Sequence, residues 1–204
     1  MAIQAVLTGD IVNSTRLGQA AEKKLLKLLS AVLQAYRYEF YRGDSFQAYI
    51  ADAGAALKAA LLCRAAAIGI AGAVPADVRI SIGVGKNRPP AALLGSSGGE
   101  AFVLSGRAFD ELAGQHRRLA IASSNTLANS GLQVIADYTD TLFNAMTGKQ
   151  AVVIFELLQG ATQQEVAAKL KKSKSTIHQH VTAGRWPEIE RLLQQYVNII
   201  NQLS

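Results

Sequence analysis

Two aspartates stand where the chain passes from one element to the next: Asp10 in GDIVNST (9–15) and Asp44 in GDSFQAYI (43–50). Two carboxylates converging beside a helix start suit a hard divalent cation such as Mg²⁺, which takes oxygen ligands and bridges to phosphates. Asn13, Ser14 and Thr15 follow Asp10, where the first-turn amides of the next helix would face a phosphate. The same aspartates also suit local roles, Asp10 capping that helix and Asp44 closing a turn. A second group is cationic. Within 161–185, Lys169, Lys171, Lys172, Lys174 and Arg185 face only Glu165, a local +4 that reads as a nucleic-acid footprint or a solvated face.

These residues act together only if the intervening elements bring them together. Residues 3–8 alternate as a strand, and Leu17, Ala21, Leu25, Leu28 and Val32 recur at helical steps, with Ser14 or Thr15 available as N-cap. Tyr38–Arg42 and Phe46–Ile50 read as a hairpin hinged on Gly43 and Asp44. Asp52 then caps a helix to about Ile68, and Val78, Ile80, Ile82 and Val84 alternate as a half-buried strand. The order strand, helix, strand, strand, helix, strand predicts a ferredoxin-like sheet with helices on one face. In that topology the first and third strands are antiparallel neighbours, so Asp10 and Asp44 meet at one edge.

After about residue 123 the strand alternation stops and helical patterns take over, which predicts a boundary near 125–145. Leu142, Met146, Val153, Ile154, Leu157 and Leu158 form an apolar helical face ended by Gly160. Thr162-Gln163-Gln164-Glu165 is a capping box that opens a helix to Leu170, and Ser173 caps a second helix through Ile177 and Val181 to Gly184. Two short helices joined by a tight turn make the helix-turn-helix pattern. Lys171 and Lys172 lie on the turn, and Lys174, Ser175, His178 and Gln179 point outward. The lysines would attract phosphate, while His178 and Gln179 would reach base edges. His180 reads as a partly buried packing residue. Pro187 restarts a helix whose Ile189, Leu193, Tyr196, Ile200 and Leu203 form a two-heptad seam, able to pair two chains or to pack back on the helix-turn-helix. The expected class is therefore α+β: a ferredoxin-like sheet domain over 1–125, a connecting segment over 126–145 and an all-α helix-turn-helix domain over 146–204.

Composition bounds these readings. The chain has 204 residues, 50% hydrophobic and 18% charged, which excludes a disordered chain. Its +6 comes from 21 Lys+Arg against 15 Asp+Glu. Residues 1–130 hold 14 basic and 9 acidic side chains and residues 131–204 hold 7 and 6, so the surplus is spread thinly outside the lysine patch. Cys63 stands alone in an apolar run and predicts a buried, reduced thiol in a cytoplasmic protein. The alanine-rich stretch over 53–76 carries Lys58 and Arg64 and reads as a buried helix, not a membrane span. GSSGG at 95–99 lacks the lysine and buried strand of a phosphate loop and reads as a surface loop.

GDIVNST, GDSFQAYI, VRISIGVG (78–85) and GEAFVLSGRAFDEL (99–112) resemble, in order and spacing, the catalytic fold of class III nucleotidyl cyclases over about residues 1–125. The arrangement resembles still more closely the bacterial SatD-like family, whose members end in a helix-turn-helix. The run over 146–181 is similar to the helix-turn-helix of LuxR-type regulators and of sigma-factor region four. The cyclase resemblance implies that Asp10 and Asp44 bind metal and that Arg107 stabilises transition-state charge. An asparagine is expected four residues before Arg107 and a purine-selecting lysine four before Asp44, but these positions are Val103 and Phe40. The resemblances together imply a DNA-binding transcriptional regulator, a homodimer without membrane attachment, whose degenerate cyclase-like domain senses a nucleotide or metal-phosphate ligand. The rival readings are a Mg-dependent nucleotidyl- or phosphoryl-transfer enzyme, and a non-catalytic interaction module. Where the resembled families usually have a glycine and an aliphatic residue in the turn, this chain has Lys171 and Lys172, so a non-glycine residue takes the strained turn conformation and one core anchor is lost.

Overall fold

The computed structural model describes residues 3–41, 43–70, 74–87, 90–91, 93–112 and 114–203. Arg42, expected at a strand end, lies outside them. The described chain is α+β, a five-stranded mixed sheet with eight α-helices. The first strand, β1 (Gln4–Val12), leads through a 3₁₀ turn at Ser14–Arg16 to α1 (Gln19–Leu33). β2 (Arg37–Tyr41), β3 (Ser45–Ile50), α2 (Ala56–Ile68) and β4 (Asp77–Gly85) follow, and then α3 (Glu100–Leu112) and β5 (Leu119–Ser123). Five helices complete the chain: α4 (Thr126–Asn144), α5 (Gly148–Leu158), α6 (Gln163–Leu170), α7 (Lys174–Ala183) and α8 (Trp186–Gln202).

The strand order is β2-β3-β1-β4-β5. β1 is antiparallel to both β3 and β4, and β5 adds to β4 in parallel. β5 was not expected, because five residues flanked by polar turns carry too little alternation to stand out. Residues 126–145, read as a connecting segment, form the helix α4, which Asn125 caps by accepting from the Ala128 amide (3.0 Å). Its buried side, including Leu132, Ile135 and Ala136, joins the main core.

Pairing register assigns the two faces of the sheet. Ala5, Leu7 and Ile11 pair with Val84, Ile82 and Val78 on the face covered by α1 and α2. α2 is itself sandwiched between that face and α5. This explains a helix so rich in alanine, since a layer packed on both sides leaves little room for bulk; its buried charge, Arg64, is the exception. Cys63 is fully buried there, and burial pushes its thiol up to about 12. The other face carries Val6, Thr8, Asp10, Arg79 and Ser81 under α3. Gly83 lets α3 approach: a methyl group there would lie 2.2 Å from the Ala101 carbonyl oxygen and 2.4 Å from the Ser105 nitrogen.

One hydrophobic cluster runs from Ala5 through α2 to Ile200, so the core does not break near residue 125. The α8 seam is used inside the chain. Ile189, Tyr196 and Ile200 are buried, and the Tyr196 hydroxyl donates to the Ala53 carbonyl (3.0 Å).

Arg64 of α2 has no exposed surface. Its guanidinium donates to both Asp77 oxygens (3.1 and 2.7 Å), to Asp140 Oδ1 (2.6 Å) and to Asn144 Oδ1 (3.1 Å), and it sits 5.1 Å from the Phe143 ring centroid. Asp140 Oδ2 accepts the Arg118 and Leu119 amides at the start of β5 (2.8 and 3.2 Å). Burial works to lower the pKa of Arg64, but the Asp77 and Asp140 carboxylates outweigh it and hold the group charged. Removing one partner of a buried pair strands the other charge, which costs about 3–5 kcal/mol. Arg64→Ala is therefore expected to lose about that much stability in urea unfolding. Arg64→Lys should restore only part of it, because an ammonium cannot span two carboxylates as a planar fork does.

Candidate functional site

The antiparallel register brings Asp10 and Asp44 next to each other: Asp10 lies opposite Ser45, and the Ile11 amide donates to the Asp44 carbonyl (3.1 Å). Their carboxylates are already engaged. Arg79, opposite Asp10 on β4, donates from Nε to one Asp10 oxygen (3.1 Å) and from Nη2 to the other (2.6 Å). The Arg79 guanidinium also lies 5.3 Å from the Phe109 ring centroid of α3. Asp44 Oδ2 accepts the Ser14 hydroxyl (2.6 Å), and the Ser45 hydroxyl reaches Oδ1 at 3.4 Å.

This arrangement does not fit a Mg²⁺ ion. The cation needs several free oxygen ligands, whereas both Asp10 oxygens are held by a permanent cation that would also repel the metal. Among the described residues no three of His, Cys, Asp and Glu cluster closely enough to hold a metal.

The Asn13–Thr15 segment also differs from expectation. It leads into a single 3₁₀ turn, while α1 begins later at Gln19 behind Gly18, without a side-chain cap. Ser14 is spent on Asp44 instead of capping α1. Asn13 is left-handed (φ 60°), and its amide donates to the Pro75 carbonyl (3.3 Å). The α1 amides therefore begin beyond this segment. Arg107 is exposed on α3, one turn after cleft-lining Val103, and does not itself line the neighbouring cleft.

That cleft, about 400 Å³, opens on the second face of the sheet between β1, β3, the Leu93–Gly98 loop and α3. Thr8, Ser45 and Gln47 supply its polar floor, and Phe102 and Phe109 its apolar wall. Glu39 anchors the loop, accepting the Leu94 amide (2.9 Å) on one oxygen and the Tyr41 hydroxyl (2.7 Å) on the other. Those two hydrogen bonds hold the Glu39 carboxyl below its usual range, while burial and the neighbouring carboxylate push the Tyr41 phenol up to about 12. Sequence reasoning did not single out Glu39, Tyr41, Thr8, Gln47 or Arg79. Gln47 and Arg79 fall within the GDSFQAYI and VRISIGVG segments but had no role assigned to them, and only strand register sets all five on one face.

A second assembly lies on α6 and α7. Thr162 and Glu165 form the capping box, the Thr162 amide donating to Glu165 (2.7 Å) and the Glu165 amide to the Thr162 hydroxyl (3.3 Å). α6 ends on Lys171 at φ 53°, ψ 47°, with the Lys172 amide donating back to the Ala167 carbonyl (3.0 Å), a left-handed helix stop built without glycine. Ser173 caps α7 by accepting from the Thr176 amide (3.1 Å). Ile177 and Val181 are buried, whereas Lys171, Lys172, Lys174, Ser175, His178 and Gln179 are exposed. The patch is smaller than the sequence count. Lys169 pairs with Glu156 of α5 (2.7 Å) and Arg185 with Glu188 of α8 (2.8 Å), which leaves Lys171, Lys172 and Lys174 without a carboxylate among the described residues.

Neither protein-family models nor curated protein sequences give a match to this chain. No described helix is long and apolar enough to cross a membrane.

Two outcomes follow from these contacts. Arg79→Met should cost about 1.5–3 kcal/mol in urea unfolding, because it leaves the half-buried Asp10 without its charged donors. Millimolar Mg²⁺ should leave the wild-type melting temperature unchanged. At α6, the Thr162 backbone and hydroxyl lower the pKa of Glu165 from its ordinary 4.5. A depressed carboxyl stabilises the folded state above its ordinary pKa, and the contribution fades as pH falls through the folded value. Glu165→Gln should therefore melt lower than wild type at neutral pH, with the difference vanishing in melts run well below pH 4.5.

Proposed function

We propose that this chain is a DNA-binding transcriptional regulator in which α6 and α7 form a helix-turn-helix and the sheet carries a cyclase-like ligand-sensing unit. The observation that carries the reading is the α6–α7 surface. Two independently capped short helices share one buried side through Val166, Ala167, Ile177 and Val181, and they present three lysines free of carboxylates beside exposed His178 and Gln179. In that role Lys171, Lys172 and Lys174 neutralise phosphates, and Ser175, His178 and Gln179 face base edges in the major groove.

The order β2-β3-β1-β4 with every neighbour antiparallel supports a ferredoxin-like core to which β5 is an addition. It is also consistent with membership of the SatD-like family. The cleft with its hydroxyl and amide floor and aromatic wall suits a nucleotide or phosphate-bearing ligand. The pairing of Asp10 with Arg79 and the presence of Val103 and Phe40 favour sensing over phosphoryl or nucleotidyl transfer. A helix-turn-helix usually reads two half-sites, so the working unit is a cytoplasmic homodimer, paired through a surface other than the α8 seam.

Binding of the full chain to duplex genomic fragments should weaken steeply as salt rises, since each neutralised phosphate releases counterions. Charge reversal by Lys172→Glu with Lys174→Glu should lower affinity by well over roughly tenfold and flatten the salt slope by about one unit per lost phosphate contact. Unchanged binding in an electrophoretic shift assay would remove α7 from the role of reading helix.

A further inference from the structure

A second cleft, about 390 Å³, lies on the opposite side of α2 from the sheet, bounded by the start of α2, the end of α5 and one side of α8. It is separate from both the sheet-face cleft and the α6–α7 surface. Its geometry follows from helix ends. α5 stops at Leu158 before left-handed Gly160 (φ 95°), while the Tyr196 hydrogen bond to the Ala53 carbonyl pins α8 to the segment that precedes α2. The three helices therefore splay instead of closing.

α8 meets this gap with a second stripe, next to its buried seam. Trp186, Leu193 and Val197 recur along it and are only half-buried, above a floor of Leu157 and Leu158. The walls also carry opposite charges. Lys58 of α2 and Glu190 of α8 both line the cleft, both are exposed, and neither makes an ion pair among the described residues, so their charges stay more than 4.0 Å apart and available. Gln194 adds a neutral polar group one turn beyond Glu190. Ligand pockets are characteristically apolar with a few convergent polar groups, at volumes of roughly 300–1,000 Å³.

We infer that this cleft binds a small zwitterion with an apolar body, an amino acid with a branched or aromatic side chain. Lys58 pairs with its carboxylate, Glu190 with its ammonium, and the Trp186–Leu193 wall covers the side chain. An apolar anion satisfies only Lys58 and an apolar amine only Glu190. A small polar zwitterion satisfies both charges but leaves the wall wet.

Trp186 is the single tryptophan of the chain, so its fluorescence reports on this cleft directly. The full-length protein, without DNA, is titrated with L-leucine and L-phenylalanine, and in parallel with isocaproate, isoamylamine and glycine. The expected result is a saturable fluorescence change with leucine or phenylalanine. Lys58→Met and Glu190→Gln, both rim substitutions with unchanged melting temperatures, should each weaken it by roughly tenfold, in keeping with loss of one partly exposed charge-assisted hydrogen bond. Isocaproate or isoamylamine binding as tightly as leucine, or glycine doing so, would overturn the zwitterion assignment. So would the absence of a saturable change together with the absence of heat in calorimetry. Because the measurement contains no DNA, it succeeds or fails independently of the helix-turn-helix reading.

Discussion

A guanidinium with no exposed surface holds together four elements that lie far apart in the chain. Arg64 enters from α2, meets Asp77 at the first residue of β4, and crosses to Asp140 and Asn144 on α4, while Asp140 in turn accepts the two amides that begin β5. A buried ion pair of this kind contributes little net stability compared with an apolar isostere, but it is costly to break and demanding in geometry. Its effect is on register. The α2 helix is nearly featureless, alanine on every side, and without a fixed polar contact it could slide or rotate between the sheet and α5 at small cost. Arg64 removes that freedom and orders β5 along the free side of β4. α4 packs against β5 at that edge, and α8 packs in turn against α4.

The same principle operates in miniature on the second face of the sheet. Asp10 and Asp44 were legible as a carboxylate pair, and the antiparallel register does bring them side by side. Which partner each carboxylate takes is a separate matter, decided by what stands opposite in the neighbouring strand. Arg79 lies directly across from Asp10 and saturates it, and the 3₁₀ turn carries Ser14 within reach of Asp44. A pair that suggests a metal in the linear sequence becomes two separate hydrogen-bonded clusters, beside a cleft whose floor is neutral.

The C-terminal helices show the opposite balance. Their boundaries rest on contacts between residues three or four apart, so the Thr162–Glu165 box, the Ser173 cap and the inward Ile177 and Val181 were all readable. The resemblance to known helix-turn-helices pointed to a strained non-glycine turn at Lys171 and Lys172, and Lys171 is the residue that takes the left-handed conformation. The net charge of the patch was overcounted. Glu156 of α5 neutralises Lys169 across adjoining helices, and Glu188, three residues beyond Arg185 in the first turn of α8, neutralises Arg185.

The sequence alone therefore determined elements whose signals are local: four strands, the helical runs of α1, α2, α6, α7 and α8, the caps of α6 and α7, the turn between β2 and β3, and the inward or outward sense of α7. These depend on periodicity and on hydrogen bonds spanning a few residues, which any stretch of chain carries with it. Only the tertiary structure decided the rest. It made α4 of a segment read as connection, added β5, ran one core past the expected boundary, turned the α8 seam onto its own chain and gave Asp10 to Arg79. Apart from the locally capped start of α4, each of those outcomes joins groups tens of residues apart. Their partners are chosen by which faces and charges meet once the layers close, and no local window contains both members of the pair.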